Sequence, residues 1–192
     1  VYADHFAEPA AFATLMAEVV ATVRRAQPNA PWEPGALTVS SFSAGFGGVR
    51  QLLRQPAAFD RIGTLVMADS IYCGYAGPVA ERRVDPALME GFVRFARLAS
   101  EGKKRMLITH SAQVPEGYAS TTETADTLIA ATGGTRLPSE VRWAEGLLQA
   151  SHCIRGGFEV VGFTGTEAKD HLQHLRSLGL FLQRAREPAP SP

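Results

Sequence analysis

Ala36-Leu37-Thr38-Val39-Ser40-Ser41-Phe42-Ser43-Ala44-Gly45-Phe46-Gly47-Gly48-Val49 is the stretch that decides the architecture of this chain. Ala36 to Ser40 is a short run bounded by turn signals, and it reads as a buried strand. Ser41 to Gly48 is a turn of small residues, after which Val49, Leu52 and Leu53 recur at helical spacing. A strand that passes through a tight turn straight into a helix opens a βα unit. The same order repeats downstream. Strands are predicted over Ile62 to Ala68, Arg105 to Thr109 and Phe158 to Phe163. Between and after them come helices over Pro86 to Ser100, with Leu88, Phe92, Phe95 and Leu98 on one face, over Thr122 to Thr132, and from about Asp170 to Arg184. Upstream, residues 8–25 read as an amphipathic helix. Its apolar face is Phe12, Leu15, Met16, Val19, Val20 and Val23, with Pro9 in the first turn and a three-proline loop, Gln27 to Gly35, after it. The alternation predicts an α/β domain with a mostly parallel sheet flanked by helices. Residues 1–186 form that single domain, and 187–192 are a Pro-rich tail expected to fray.

Composition narrows the possibilities further. A chain of 192 residues suits one domain, and 45% hydrophobic against 20% charged residues excludes wholesale disorder. Basic and acidic residues both number 19, so nothing electrostatic argues for nucleic acid or an anionic membrane as partner. No apolar stretch nears the roughly 20 residues of a membrane span. The opening Val-Tyr-Ala-Asp carries no signal-peptide pattern, and the compartment stays open. Cys73 and Cys153 are expected to be free thiols, the first after the carboxyl end of a strand, the second before a strand at the opposite edge. No cofactor is expected. Gly45-Phe46-Gly47-Gly48 lacks the ending of a P-loop and the spacing of a dinucleotide turn. His171-x-x-His174 lacks the Glu of the zinc helix motif and a third ligand nearby in sequence, so no metal is expected either.

Ser41-Phe42-Ser43-Ala44-Gly45 has the layout of a nucleophile elbow, whose usual pattern is Gly-x-Ser-x-Gly. The requirement is steric: residues two positions from the nucleophile must be small for strand and helix to approach. Gly45 meets it, and Ser41 meets it while departing from the usual Gly. Such a turn would present the Ser43 hydroxyl at the carboxyl edge of the sheet, with the Ala44 N–H as oxyanion donor. The alternative is a Gly/Ser-rich turn that only packs well. Asp170-His171-Leu172-Gln173-His174, following the last strand, can supply a general base that swings over the sheet edge. His171 lies nearer the loop and is preferred; His174, a turn further on, is the alternative base, and surface or capping roles remain open for both. Phe42, Tyr72 and Tyr75 could line a substrate pocket or pack in the core and rim.

With these residues the chain resembles the carboxyl-terminal portion of an α/β-hydrolase, and is similar to bacterial members of that superfamily. The resemblance implies an acid after one of the strands that follow the elbow helix. The later strand, the usual place, ends Thr109-His110-Ser111-Ala112-Gln113-Val114-Pro115-Glu116 without an Asp, and Glu116 is its nearest carboxylate. The earlier strand ends Ala68-Asp69-Ser70. Asp69 is preferred, because a carboxylate at a buried strand end needs a partner, although it could equally serve loop N–H groups. Glu123 and Asp126 read as residues of a helix start. The resemblance also implies several strands before the elbow and a second oxyanion donor from an early loop. Here a helix and a loop stand in their place. The domain is therefore expected to be incomplete at its amino end or completed by another chain, with half an oxyanion hole and an exposed sheet edge open to a partner chain or to self-association. The implied activity is that of a serine hydrolase acting on a carboxylic ester through an acyl-enzyme. The alternative is a hydrolase-like binding or assembly module without catalysis.

Overall fold

The computed structural model describes residues 2–29, 33–144 and 146–187. The middle of the proline-rich loop and the tail at 188–192 lie outside the described residues. In chain order the elements are α1 (Tyr2–Ala7), α2 (Ala11–Ala26), β1 (Leu37–Phe42), α3 (Phe46–Arg54), α4 (Pro56–Arg61), β2 (Ile62–Ala68), α5 (Pro86–Ser100), β3 (Arg105–His110), α6 (Thr121–Thr132), β4 (Leu137–Ala144), β5 (Leu147–Arg155), β6 (Phe158–Phe163), α7 (Ala168–Arg176) and α8 (Leu178–Arg186). They build a six-stranded sheet in the order β1-β2-β3-β6-β5-β4. β1, β2, β3 and β6 run parallel, while β4 and β5 form an antiparallel hairpin added beside β6.

The central strands are apolar runs because both of their faces are covered. Alternate residues point to opposite sides. Leu65, Met67, Met106, Ile108 and Val160 enter the core with α3 and α5, through Leu53, Phe92 and Phe95. Val66, Ala68, Leu107, Val161 and Phe163 face Phe181 and Ala185 of α8. α8 is anchored by charge as well. Glu159 of β6 is fully buried yet meets Arg105, Arg184 (3.1 Å) and His152 (3.2 Å), so its carboxylate is compensated. Helix starts obey local chemistry. Asp85 caps α5 ahead of Pro86, and Ser120 with Glu123 forms a capping box on α6.

Three expectations are corrected. The helix expected over residues 8–25 is α2, which starts after the Pro9 turn and is preceded by an unpredicted α1, and of its apolar face only Phe12 is buried while Leu15 and Val19 are exposed. The closing helix breaks at Ser177 into α7 and α8. The sequence predicts no element between Thr132 and Phe158, where β4 and β5 lie. β4 is an edge strand bearing Pro138 and mostly exposed, and β5 buries Gln149 among its apolar positions, so neither shows a clean alternation. Cys153 consequently sits within β5 opposite Val160. Both cysteines are free and buried, and burial pushes both thiols up. Among the described residues no helix is long and apolar enough to cross a membrane.

Parallel strands deliver their carboxyl ends to one edge of the sheet, where open α/β sheets bind ligands. The segments after β1, β2, β3 and β6 therefore converge, and they carry Ser43, Asp69, Ser111 and His171.

Candidate active site

Ser43 opens a single 3₁₀ turn, Ser43–Gly45, between β1 and α3, with φ at +50°. That left-handed conformation costs a residue with a Cβ roughly 1–2 kcal/mol, so the surrounding packing must enforce it. Gly45 is part of the enforcement: a Cβ there would stand 2.7 Å from Ser41 Oγ. Ser41 tolerates its own hydroxyl because Ser70 Oγ lies 2.5 Å away, and Ser70 in turn donates to the Ser43 carbonyl oxygen at 2.9 Å. With its one proton so used, Ser70 accepts from Ser41. The departure from the usual Gly is thus absorbed by a hydroxyl relay tying the end of β2 to the turn. Gly45→Ala should overpack this contact and lower stability by about 1–3 kcal/mol, read as a fall in Tm. A variant melting with the parent would show the contact to be slack.

Asp69 follows β2, fully buried and also left-handed at φ +43°. Its N–H donates to the Thr109 carbonyl at 2.8 Å, which turns the side chain over the sheet edge. Oδ1 accepts from the Ser111 N–H at 3.1 Å and from the Thr121 hydroxyl, and Oδ2 lies 2.8 Å from His171 Nδ1. Burial alone would raise this carboxyl, but the hydrogen bond from His171, the nearby His174 and the donors Thr121 and Ser111 outweigh it. They hold it well below the usual carboxylate range. Since Asp69 is a carboxylate and can only accept, His171 Nδ1 carries the proton. Nε2 of the neutral ring is then the acceptor, and it stands 3.0 Å from Ser43 Oγ. His171 lies in the first turn of α7, and its imidazole is stacked on Phe42 with centroids 4.5 Å apart. The turn before α7 is closed by Asp170, which accepts from the Glu167 N–H at 2.9 Å.

Ser43, His171 and Asp69 are therefore brought together, and Ala44 supplies the next amide in the first helical turn, whose opening N–H groups have no intrahelical partner. The alternatives are not. His174 is buried behind the site with Nδ1 2.9 Å from Thr109 Oγ1, packed on Phe163 and Phe181. Glu116 is exposed on the loop after β3, apart from the His171 pair. Of the aromatic residues, Tyr72 lines the cavity at Ser43, while Tyr75 turns away to give its hydroxyl to Glu123 (3.2 Å) beneath Arg82. Phe42 supports the imidazole from outside that cavity. Glu123 and Asp126 each also hold an arginine, Arg82 and Arg136 respectively. The described residues before β1 form α1 and α2 and no strand.

The cavity at Ser43 measures about 480 Å³ and is lined by Ala44, Phe46, Arg50, Tyr72, Tyr118 and His171 among others. A wider groove of about 600 Å³ on the far side of β1 borders Phe42 but contains neither Ser43 nor His171. Sequence reasoning missed Ser70, Ser111, Thr121 and Arg50. The Ser120-Thr121-Thr122-Glu123 capping signature could have placed Thr121 at a helix start facing the sheet edge; the others carry no local signal. Among the described residues no group of three His, Cys, Asp or Glu could hold a metal ion. No known family model, curated protein or solved structure matches the chain.

Two buried histidines set the response to acid. Burial pushes His110 and His174 each down to about 4 from 6.5. Their contribution to stability is complete above about pH 6.5 and is lost as the pH falls toward about 4, because the unfolded chain binds those protons more readily. Asp69 and Glu159 act in a lower window. Glu159, whose burial is outweighed by His152, Arg105 and Arg184, is held down at about 2, and its contribution persists until the pH drops below about 4.5. Urea midpoints should thus fall between pH 6.5 and 4 with uptake of about two protons, a loss of several kcal/mol in order of magnitude. A flat profile over that range would mean that the two imidazoles are not held neutral.

Proposed function

We propose that the chain is a serine hydrolase of the α/β-hydrolase type, cleaving a carboxylic ester through an acyl-enzyme. The observation that carries the reading is the unbroken line from Ser43 Oγ to His171 Nε2 (3.0 Å) and from His171 Nδ1 to Asp69 Oδ2 (2.8 Å). Ser43 Oγ attacks the ester carbonyl while His171 Nε2 takes its proton. The imidazolium so formed is stabilised by the Asp69 carboxylate. Negative charge developing on the carbonyl oxygen meets the Ala44 N–H at the first turn of the elbow helix. Collapse expels the alcohol, which leaves with the proton from His171, and water attacks the acyl-enzyme by the same route in reverse. The ester itself is chosen by analogy with the superfamily that the chain resembles.

The test is fluorophosphonate labelling of the purified chain, with the modified residue mapped by mass spectrometry. Labelling at Ser43 is expected; a folded sample that stays unlabelled would sink the reading. A second reading, a binding or assembly module without catalysis, draws on β1. It is an edge strand of the sheet, and the groove beside it is walled by Phe6, Met16, Leu37 and Val39. That reading predicts an unreactive Ser43 together with association above the monomer mass in sedimentation.

A further inference from the structure

Arg50 has no part in the chemistry above, yet it lines the cavity that holds Ser43 and His171. It lies on α3, and long side chains on a helix fold back toward the amino end. Its guanidinium does so, lying over the Phe46 ring 4.9 Å from the centroid, one turn nearer Ser43. Nη2 donates to the Tyr72 carbonyl oxygen at 2.8 Å, which fixes the head between the elbow helix and the loop after β2. Arg82, Arg105, Arg136 and Arg184 each hold a carboxylate. Arg50 holds none among the described residues, and its buried Nε–H has no acceptor. Burial lowers its pKa, so the charge is kept there at a cost. A cation withdrawn from water ordinarily has a paired counter-charge, and here Asp85 acts on it only from beyond ion-pair distance.

We infer that Arg50 receives the free carboxylate of the substrate, which makes the substrate class a short ester bearing a single negative charge, such as a half-ester of a dicarboxylic acid. The inference rests on the hydrolase reading. A carboxylate fits better than a phosphate dianion, because Arg50 is the sole Lys or Arg lining the cavity among the described residues. The planar guanidinium fork matches a carboxylate, and Nη1, which has no protein acceptor among the described residues, can donate alongside Nη2. Phe46, Tyr72 and Tyr118 offer aromatic surface to the methylenes between the charged end and the scissile carbonyl. The carboxylate takes no part in bond making. Ester and water give acid and alcohol as before, with the charged end held still.

The experiment compares kcat/KM for 4-nitrophenyl hydrogen adipate and for 4-nitrophenyl hexanoate, which differ chiefly in the terminal carboxylate. The parent chain should prefer the adipate, and Arg50→Gln should lower the adipate-to-hexanoate ratio by about 10- to 100-fold. Because Arg50 also steadies Tyr72, Arg50→Lys is measured beside it; keeping the charge, it should give a ratio between the two. Binding of monomethyl adipate to Ser43→Ala, followed by NMR, reads the same contact without turnover and should vanish when Arg50→Gln is added. A parent preference for hexanoate, or a ratio and binding unmoved by Arg50→Gln, would overturn the inference. Arg50-dependent binding alongside a Ser43 that no fluorophosphonate labels would overturn the hydrolase reading alone.

Discussion

Ser43→Ala is expected to reduce ester turnover by about 10⁴-fold or more and to abolish fluorophosphonate labelling, with the fold retained. The expectation follows from how few nucleophiles share the cavity. Cys73 also lines it, but burial pushes its thiol up, so little thiolate exists at neutral pH. His171 would keep its bond to Asp69 in the variant and would have nothing to deprotonate except water. Residual turnover would then come from binding and the Ala44 amide alone. The cost to stability should be small. Alanine at φ +50° is as strained as serine there, and the lost hydrogen bond is a half-buried one. The checks are kcat/KM with a 4-nitrophenyl ester, intact mass after labelling, and Tm. Turnover that survived in a well-folded variant would move the chemistry to another group, and the hydrolase reading with it.

Much of this arrangement is legible in the sequence because its determinants are local. Ala36 to Gly48 writes strand, turn and the start of a helix in one short stretch, and a small residue at 45 is a steric demand that composition exposes. Asp69 can be reasoned out because it follows the buried end of a strand, where an unpaired carboxylate is untenable. What the sequence hides is non-local. Whether His171 or His174 faces Ser43 depends on where α7 begins, and one turn of helix decides it: His171 looks onto the edge, while His174 is driven into the aromatic cluster of Phe163 and Phe181. Tyr75 and Tyr72 are three residues apart, but the pairing of Tyr75 with Val84 carries its ring toward Arg82 and Glu123. Ser70 and Ser41 are 29 positions apart, and only the parallel pairing of β1 with β2 makes them partners. The β4–β5 hairpin escapes for a different reason. Its burial is shared with α8 through Trp143, so its alternation is not written in its own residues.

Asp69→Asn should lower kcat by about 10⁴-fold, and the structure says by which route. The two oxygens of Asp69 face different neighbours. Oδ1 accepts from the Ser111 N–H and the Thr121 hydroxyl, so the corresponding atom of asparagine must remain an oxygen. The amide nitrogen is then forced into the place of Oδ2, where it donates to His171 Nδ1. A donor there requires Nδ1 to be bare, and the neutral ring moves its proton to Nε2, opposite Ser43 Oγ. An imidazole already protonated at Nε2 cannot take the serine proton. Nitrogen-15 NMR of the imidazole should show the tautomer reversed, alongside the loss of kcat, a signature that simple destabilisation would not produce. Stability has its own sign. The carboxyl of Asp69 is held below its unfolded pKa, so its contribution is present above about pH 4 and is lost as the pH falls through its folded value. The stability gap between parent and variant should therefore be widest near neutral pH and shrink in strong acid. A variant with the parent's tautomer and the parent's kcat would leave Asp69 as a structural residue binding loop N–H groups, and would require a different partner for His171.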